Sequence, residues 1–335
     1  MSKILSTMER FLPQQIMLKI KLLRMVCLYP YHFSSYVATA FSEPISADDV
    51  AALKAGLDAE SCVVLDKYLA IKKLTDEDVF KYFPMVDLRT ACCPRQDDLF
   101  LQQKRMRDCV KNIPALKNCR PEVLQETSLA HGLAVASPEE LEYIRNRDFI
   151  DAGAYCGESS LLMSEFMPRR IEAFEPVPAY REKMKAVLDG AHLNVPVTVH
   201  PEALGAVSGE QEFWLDDLSS SLAETGHARS SGTAIRVQVR RLDELVASWQ
   251  DADIGFIKAD VEGAGRAMLS GMLETVRKFR PVLSLAIYHS KDEFLGIKHD
   301  VEKAFPDYKI RILALNPACI SNELYLWAVP AEILK

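Results

Sequence analysis

A chain of 335 residues, 49% of them hydrophobic and 26% charged, is long enough for two units or for one large α/β domain with an extension. Its formal net charge of −7 gives no bulk field to hold a nucleic-acid polyanion. The eight cysteines (27, 62, 92, 93, 109, 119, 156 and 319) form neither a CxxC pair nor a Cys/His cluster with zinc spacing, so they read as reduced thiols of a cytoplasmic protein.

Between Met1 and Pro30, apolar residues such as Leu5, Phe11, Ile16 and Leu22 alternate with Lys3, Arg10, Lys19, Lys21 and Arg24. These charges interrupt every apolar run well short of the roughly 20 residues that a membrane span needs. No small-residue cleavage site follows, so the stretch reads as an amphipathic helix. It packs either on its own domain or on a twin subunit, as in a homodimer through these helices, or else it lies on a membrane surface. From Ser46 to Pro84 the spacing is helical: Ser46 with Asp48 and Asp49 starts one helix, and Thr75-Asp76-Glu77-Asp78 another. Leu53, Leu57, Val64, Leu65, Tyr68 and Leu69 suit one buried face. The charged run over 94–120, broken by Pro114 and Pro121, reads as a solvated helical face and a linker. The expected division is a helical region over 1–120 and a second domain over 121–335.

Beyond residue 120 strands alternate with helices, which predicts a largely parallel sheet covered by helices. Phe149-Ile150 ends a first strand, Arg170 to Glu175 forms a second, and Pro196 to His200 a third. Phe213-Trp214-Leu215 and Ile235 to Val239 suit an inserted antiparallel pair, with Ser219-Ser220-Ser221 and Gly226 to Gly232 as a mobile loop between them. Ile254 to Asp260, Pro281 to Tyr288, Tyr308 to Leu313 and Leu324 to Val329 complete the strands. Ligands of such sheets bind beyond the carboxyl ends of the strands.

Asp151-Ala152-Gly153-Ala154-Tyr155-Cys156-Gly157, between the first strand and a helix from Glu158, forms a glycine turn that a ligand can approach, with helix N–H groups facing it. Glu175 stands 24 residues after Asp151 at the end of the next strand, where a carboxylate either takes two ribose hydroxyls or caps the helix after Pro176. The turn is Gly-x-x-x-Gly and lacks the spacing of a pyrophosphate binder, which favours a nucleoside without a diphosphate, such as S-adenosylmethionine, over NAD. Asp260 and Glu262, two apart at a strand end, would in extended geometry point the same way, toward the reacting group; one acts as general base or orients a hydroxyl. His289, just past the next strand, reaches the same mouth as a base or metal ligand, or is structural. Lys258 either aims its amine at the pocket or pairs with a carboxylate. No residue is assigned as a metal ligand.

Five ordered segments carry a resemblance: Phe-Ile-Asp-Ala-Gly-Ala-Tyr-Cys-Gly-Glu-Ser-Ser (149–160), Glu-Ala-Phe-Glu-Pro (172–176), Pro-Glu-Ala-Leu-Gly (201–205), Arg-Leu-Asp-Glu-Leu (241–245) and Ile-Lys-Ala-Asp-Val-Glu-Gly (257–263). In order and spacing they resemble the FkbM-type S-adenosylmethionine-dependent methyltransferases, over about 130 to 330. The resemblance implies the Rossmann-like class I methyltransferase fold, a seven-stranded, mostly parallel sheet with its last strand antiparallel, here with a helical N-terminal extension. It also implies methyl transfer to a hydroxyl oxygen of a small metabolite or sugar. Carried over, it puts the backbone of Gly153, Ala154 and Gly157 against the methionine moiety, with Asp151 and Glu158 close by and Tyr155 among the cofactor-binding residues. Glu175, followed by Pro176, takes the ribose, and Glu202 and Ala203 border the adenine. By their place at the strand ends Asp260 and Glu262 are the candidates near the methyl group, Asp260 also facing the cofactor, and His289 either joins them or is structural. The extension and the 216–233 loop shape the acceptor pocket. Ala286 stands where relatives often carry an acid, and Leu315-Asn316-Pro317 lacks a histidine that many place there. Two rival functions remain: a non-catalytic S-adenosylmethionine-binding or assembly protein, and a nicotinamide-dependent oxidoreductase.

Overall fold

The computed structural model describes residues 45–72, 104–105, 107–109, 111–113, 115–116, 123–124, 127–191, 193–215, 220–222, 233–316 and 323–334. The amphipathic stretch before Pro30, the helix start at Thr75 and most of the 216–233 loop lie outside them. Helix α1 (Ala47–Lys54) begins at Ser46, whose hydroxyl accepts the Asp49 N–H while the Asp49 carboxylate accepts the Ser46 N–H, the reciprocal cap that the sequence announces. Helix α2 (Ala59–Lys72) follows, and α3 (Pro138–Ile144) is capped in the same way by Ser137 and Glu140.

Strands and helices then alternate: β1 (Asp148–Ala152), α4 (Glu158–Met163), β2 (Arg170–Phe174), α5 (Pro178–Asp189) and β3 (Val197–His200). A small second sheet follows from β4 (Ala203–Leu204), β5 (Gly209–Leu215), β6 (Ser220–Leu222) and β7 (Thr233–Arg240). After it come α6 (Leu242–Ser248), β8 (Ile254–Ala259), α7 (Gly265–Ser270), α8 (Leu273–Phe279), β9 (Val282–Ala286), α9 (Lys291–Ala304), β10 (Tyr308–Ala314) and β11 (Leu324–Pro330).

The main sheet has the order β10-β11-β9-β8-β1-β2-β3. Only β11 runs against its neighbours; β9, β8, β1, β2 and β3 are parallel. This is the seven-stranded, mostly parallel sheet that the sequence implies. In the small sheet β5 and β7 pair antiparallel from Gly209–Val239 to Leu215–Thr233, as expected of the inserted pair. Ser220 and Ser221, expected in a loop, instead pair as β6 with Trp214 and Leu215. Short polar residues extend readily when a neighbouring strand offers its ladder.

Pleating sends alternate residues of each central strand to opposite layers. Ile150, Ala152, Phe174, Ile257, Ala259 and Leu285 meet Leu53, Leu65, Tyr68, Met268, Phe294 and Val301 on one face. Phe149, Ile171, Ala173, Phe256 and Trp327 meet Leu133, Leu161, Leu162 and Met184 on the other. Cys109, Ile113 and Leu116 join this second layer, and Arg105 pairs with Glu165 at 2.7 Å, which corrects the expectation of a solvated face over this part of the 94–120 run. Charge density hid three apolar residues at helical spacing, the ones that decide burial.

Strand β10 is an edge, and α2 closes part of it. The buried Ser61 hydroxyl accepts the Ile312 N–H at 2.8 Å, and the buried Lys298 of α9 donates to the Ala55 carbonyl at 2.8 Å. Among the described residues no helix is long and apolar enough to cross a membrane. Cys62, Cys109 and Cys156 are free thiols, and burial pushes both Cys109 and Cys156 up to about 11.

At the sheet centre Asp151 of β1 and Lys258 of β8 are register partners, 0% and 1% exposed by side chain, with 3.2 Å between Oδ1 and Nζ. The other Asp151 oxygen accepts the Ser159 and Ser160 hydroxyls at 2.6 and 2.7 Å, which ties α4 to the strand. Lys258 also donates to the carbonyls of Ala152 and Gly153, so of the two readings open for it the carboxylate pairing holds.

Replacing Lys258 by Met should cost about 3–5 kcal/mol in urea unfolding, because it strands the buried Asp151 charge; adding Asp151→Asn should recover part of the loss. Ser61→Ala should cost about 1–3 kcal/mol by orphaning the Ile312 N–H, with the denaturant slope unchanged.

Candidate active site

The turn after β1 needs glycine for reasons of space as well as backbone freedom. Gly153 has φ +79°, and a Cβ there would lie 1.9 Å from the Asp260 carbonyl oxygen, where the chain leaving β8 crosses. Gly157, at φ +92°, precedes α4 and abuts Met184. The Gly153 and Ala154 N–H groups both donate to the Phe174 carbonyl at 3.0 Å, and the Gly157 N–H to Ala154 at 2.8 Å. These three N–H groups close the turn onto β2 and onto itself. Ala154 and Glu158 are buried, and the Asp151 carboxylate is held behind the turn by Lys258, Ser159 and Ser160.

Tyr155, at φ +48°, turns its N–H to Glu175 Oε2 at 3.0 Å and sets its ring edge-on to Tyr180. Glu175 Oε1 accepts the Val177 N–H at 2.8 Å, and Pro176 between them is half-buried. Burial pushes the Glu175 carboxyl up to about 7, against the opposing pull of those two N–H groups. Each carboxylate oxygen keeps a second acceptor position. Beyond β3, Glu202 is half-buried with its Oε2 buried and without a hydrogen-bond partner, and Ala203 is buried at the start of β4. An orphaned carboxylate oxygen beside Glu175's strand end suits a ligand with hydrogen-bond donors.

The second half of the site gathers at the ends of β8, β9 and β11. Strand β8 stops at Ala259, and Glu262 is left-handed at φ +51°, so the expectation that Asp260 and Glu262 align by strand alternation is corrected. A turn, not a pleat, brings them to the same partner. His289 Nε2 lies 3.1 Å from Asp260 Oδ1 and 3.7 Å from Glu262 Oε2. His289 Nδ1 lies 3.3 Å from Glu293 Oε2, and Glu293 Oε1 accepts the Gly265 N–H at 2.6 Å. Tyr325 donates its hydroxyl to Asp260 Oδ2 at 2.7 Å and stands 3.0 Å from His131 Nδ1. Tyr288 donates to Glu323 Oε1 at 2.8 Å.

This crowding separates the titrating groups. Burial opposes ionisation of Asp260, yet His289 and Lys258 outweigh it and hold the carboxyl well below the usual range. Burial likewise opposes charge on His289, yet Glu262, Asp260 and Glu293 hold it well above the usual value, as an imidazolium. Burial of the Glu262 carboxyl end, helped by Asp260 and Glu293, pushes it up to about 7, although 39% of the side chain remains exposed. Burial pulls His131 down to about 4, so that ring is neutral. Such a set holds a fixed anion, a fixed cation and one exposed carboxyl that titrates near neutrality. His131, Asp260 and Glu323 also offer ligand atoms within 4.8 Å of one another, but the Tyr325 hydroxyl already joins His131 to Asp260.

Sequence reading missed Glu293, Tyr288, Tyr325, Glu323 and His131. Glu293 sits in Ser290-Lys291-Asp292-Glu293, which reads as a helix cap; Ser290 does accept the Glu293 N–H, but the carboxylate turns inward. His131 hangs from a stretch in which Ala130, His131 and Gly132 all have positive φ, held by Ser284 donating to the His131 carbonyl at 2.6 Å. Such backbone gathers at functional sites.

The sequence model described as the methyltransferase FkbM domain matches residues 151–312. No curated protein matches the sequence. Among solved structures, the methyltransferase FkbM from Methylobacillus flagellatus is similar at 18% identity and a TM-score of 0.42, over 72% of this chain and 62% of that one. This chain therefore spans less than two thirds of that protein's length. Fibrillarin from Aeropyrum pernix, solved with natively bound S-adenosyl-L-methionine, is similar at 15% identity and a TM-score of 0.36, over 60% of this chain and 74% of that one. The O-methyltransferase TomG from Streptomyces achromogenes is similar at 13% identity and a TM-score of 0.36, over 66% of this chain and 88% of that one. Residues 151–312 thus carry the match to the methyltransferase FkbM domain, and the strand order of the sheet around them is that of the class I methyltransferase fold.

Proposed function

We propose that this chain binds S-adenosylmethionine across the carboxyl ends of β1, β2 and β3 and methylates a hydroxyl oxygen of a small metabolite or sugar. The observation that carries the reading is the gathering, on one rim of the sheet, of two carboxylates with free acceptor positions after β2 and β3 and of an acid–base cluster after β8. Glu175 and Glu202, with its orphaned oxygen, are the two carboxylates, and Asp260, Glu262 and His289 the cluster.

In this reading Glu175 accepts the two ribose hydroxyls, Pro176 closes the sugar side, and Glu202 and Ala203 border the adenine. The turn from Gly153 through Ala154, Tyr155 and Gly157, with Glu158 next to it and Asp151 holding it from behind, lies along the methionine moiety. When bound, the sulfonium supplies an electrophilic methyl carbon. Asp260, ionised and held by His289 and Tyr325, is the fixed negative charge facing that cation. Glu262 would take the proton that the acceptor hydroxyl gives up on methylation. A carboxyl near 7 suits this, since it is ionised in part at neutral pH and still holds a proton well. The chain's further contribution would be to hold acceptor and cofactor in a fixed relative orientation. The formal charge of −7 favours such an acceptor over a nucleic acid.

Calorimetry with S-adenosylmethionine, S-adenosylhomocysteine and NAD tests the cofactor half. Both adenosyl ligands should bind and NAD should not; Glu175→Ala should weaken them at least about tenfold through lost charged hydrogen bonds. Folded protein that binds neither adenosyl ligand would sink the proposal, and binding without turnover on any hydroxyl acceptor would leave a binding protein. Because the ligand needs Glu175 ionised and the free carboxyl titrates at about 7, wild-type binding should release protons below that pH. Affinity should therefore rise with pH up to about 7 and then level off, a trend that Glu175→Ala should abolish.

A further inference from the structure

One buried carboxylate in this network has no part in the chemistry above. Glu293 is 2% exposed on the first turn of α9 and spans two elements: Oε1 takes the Gly265 N–H at 2.6 Å, and Oε2 faces His289 Nδ1 at 3.3 Å. A Cβ on residue 265 would lie 2.7 Å from that Oε1, so a glycine at the start of α7 is what lets the carboxylate seat there. The opposite nitrogen of the same ring faces Asp260 and Glu262. An imidazole with carboxylates at both nitrogens satisfies them together only when both nitrogens carry a proton.

We propose that Glu293 is a positioning residue that grips His289 from behind, so that the Nε2–H stays aimed at Asp260 and Glu262. The inference rests on the roles given above to those two carboxylates. With the ring fixed, Asp260 keeps its charge and its direction, and Glu262 is left as the carboxyl free to exchange a proton with an acceptor. The groups facing the ring are Glu293 from α9, Asp260 and Glu262 from the turn after β8, and the Tyr288 ring at 4.1 Å between centroids. Beyond Asp260 stand the Tyr325 hydroxyl and Lys258, and Glu323 lies beyond Tyr288. Burial works against the charged ring, and Glu262, Asp260 and Glu293 together overcome it.

The test follows His289 in the full chain, labelled with heavy nitrogen in its histidines, by proton–nitrogen correlation spectra between about pH 5.5 and about 9, with H289Q identifying the signals. In the wild type both ring nitrogens should stay protonated past neutral pH. E293Q keeps an oxygen for the Gly265 N–H and removes the charge; its His289 midpoint should fall by about one pH unit or more, a roughly tenfold loss of proton affinity. G265A, which pushes the carboxylate off its seat, should shift the midpoint the same way and serves if E293Q does not fold. A wild-type His289 that is neutral at neutral pH overturns the proposal, as does a midpoint unmoved in the variants that fold. None of these readouts uses S-adenosylmethionine, so failure of the cofactor reading appears separately, in the calorimetry.

Discussion

The buried pair of Asp151 and Lys258 is the contact on which the rest of the site depends. Two opposite charges at the centre of a parallel sheet are costly to desolvate, and they persist only where further hydrogen bonds satisfy them. Here the carboxylate gathers two serine hydroxyls from α4, and the ammonium gathers two carbonyls from the glycine turn. The pair thus fixes β1 against β8 and sets the path of the turn between them. The closest approach in that turn, Gly153 against the Asp260 carbonyl, joins the two halves of the site. The charges that fix the turn lie behind it, inside the sheet.

The same logic of fixed charge runs along the sheet rim. Asp260 is held by a histidine on one oxygen and a phenol on the other, and that phenol touches a second, neutral histidine from the opposite layer. Every partner of Asp260 favours its ionised form, so it is a poor proton acceptor and a good fixed anion. Glu262, hanging from a left-handed residue and partly open to solvent, has the opposite character. Two carboxylates two residues apart thereby differ in how firmly they hold a proton, because the turn gives them different surroundings.

How much of this was legible depended on whether the signal was local. The glycine turn, the acid ending β2 and the apolar runs of the strands are short patterns, and they located the strands of the sheet within a residue or two. Asp260 and Glu262 were legible as a cluster, but the reason offered was strand alternation, and the chain had already left the strand. Glu293 was hidden inside a pattern with a simpler meaning, since a serine followed by a glutamate three on marks a helix start whether or not that glutamate turns inward. His131 was not legible at all, because nothing near it in sequence betrays that β11 will set Tyr325 between it and Asp260. The buried apolar residues among the charges of 94–120 were missed because charge was counted before periodicity.

Where α2 lies along β10 the protein meets a hazard common to open sheets, an outer strand whose unpaired groups invite another chain to add itself. The Ser61 hydroxyl occupies one of those groups, and Leu65, Tyr68 and Leu69 of the same helix belong to the apolar layer beneath. A chain trimmed to begin after this helix would bare both the edge and that layer, and would be prone to stack on copies of itself. Helices that resemble an appendage in the sequence thus act, by their position, as a guard against aggregation.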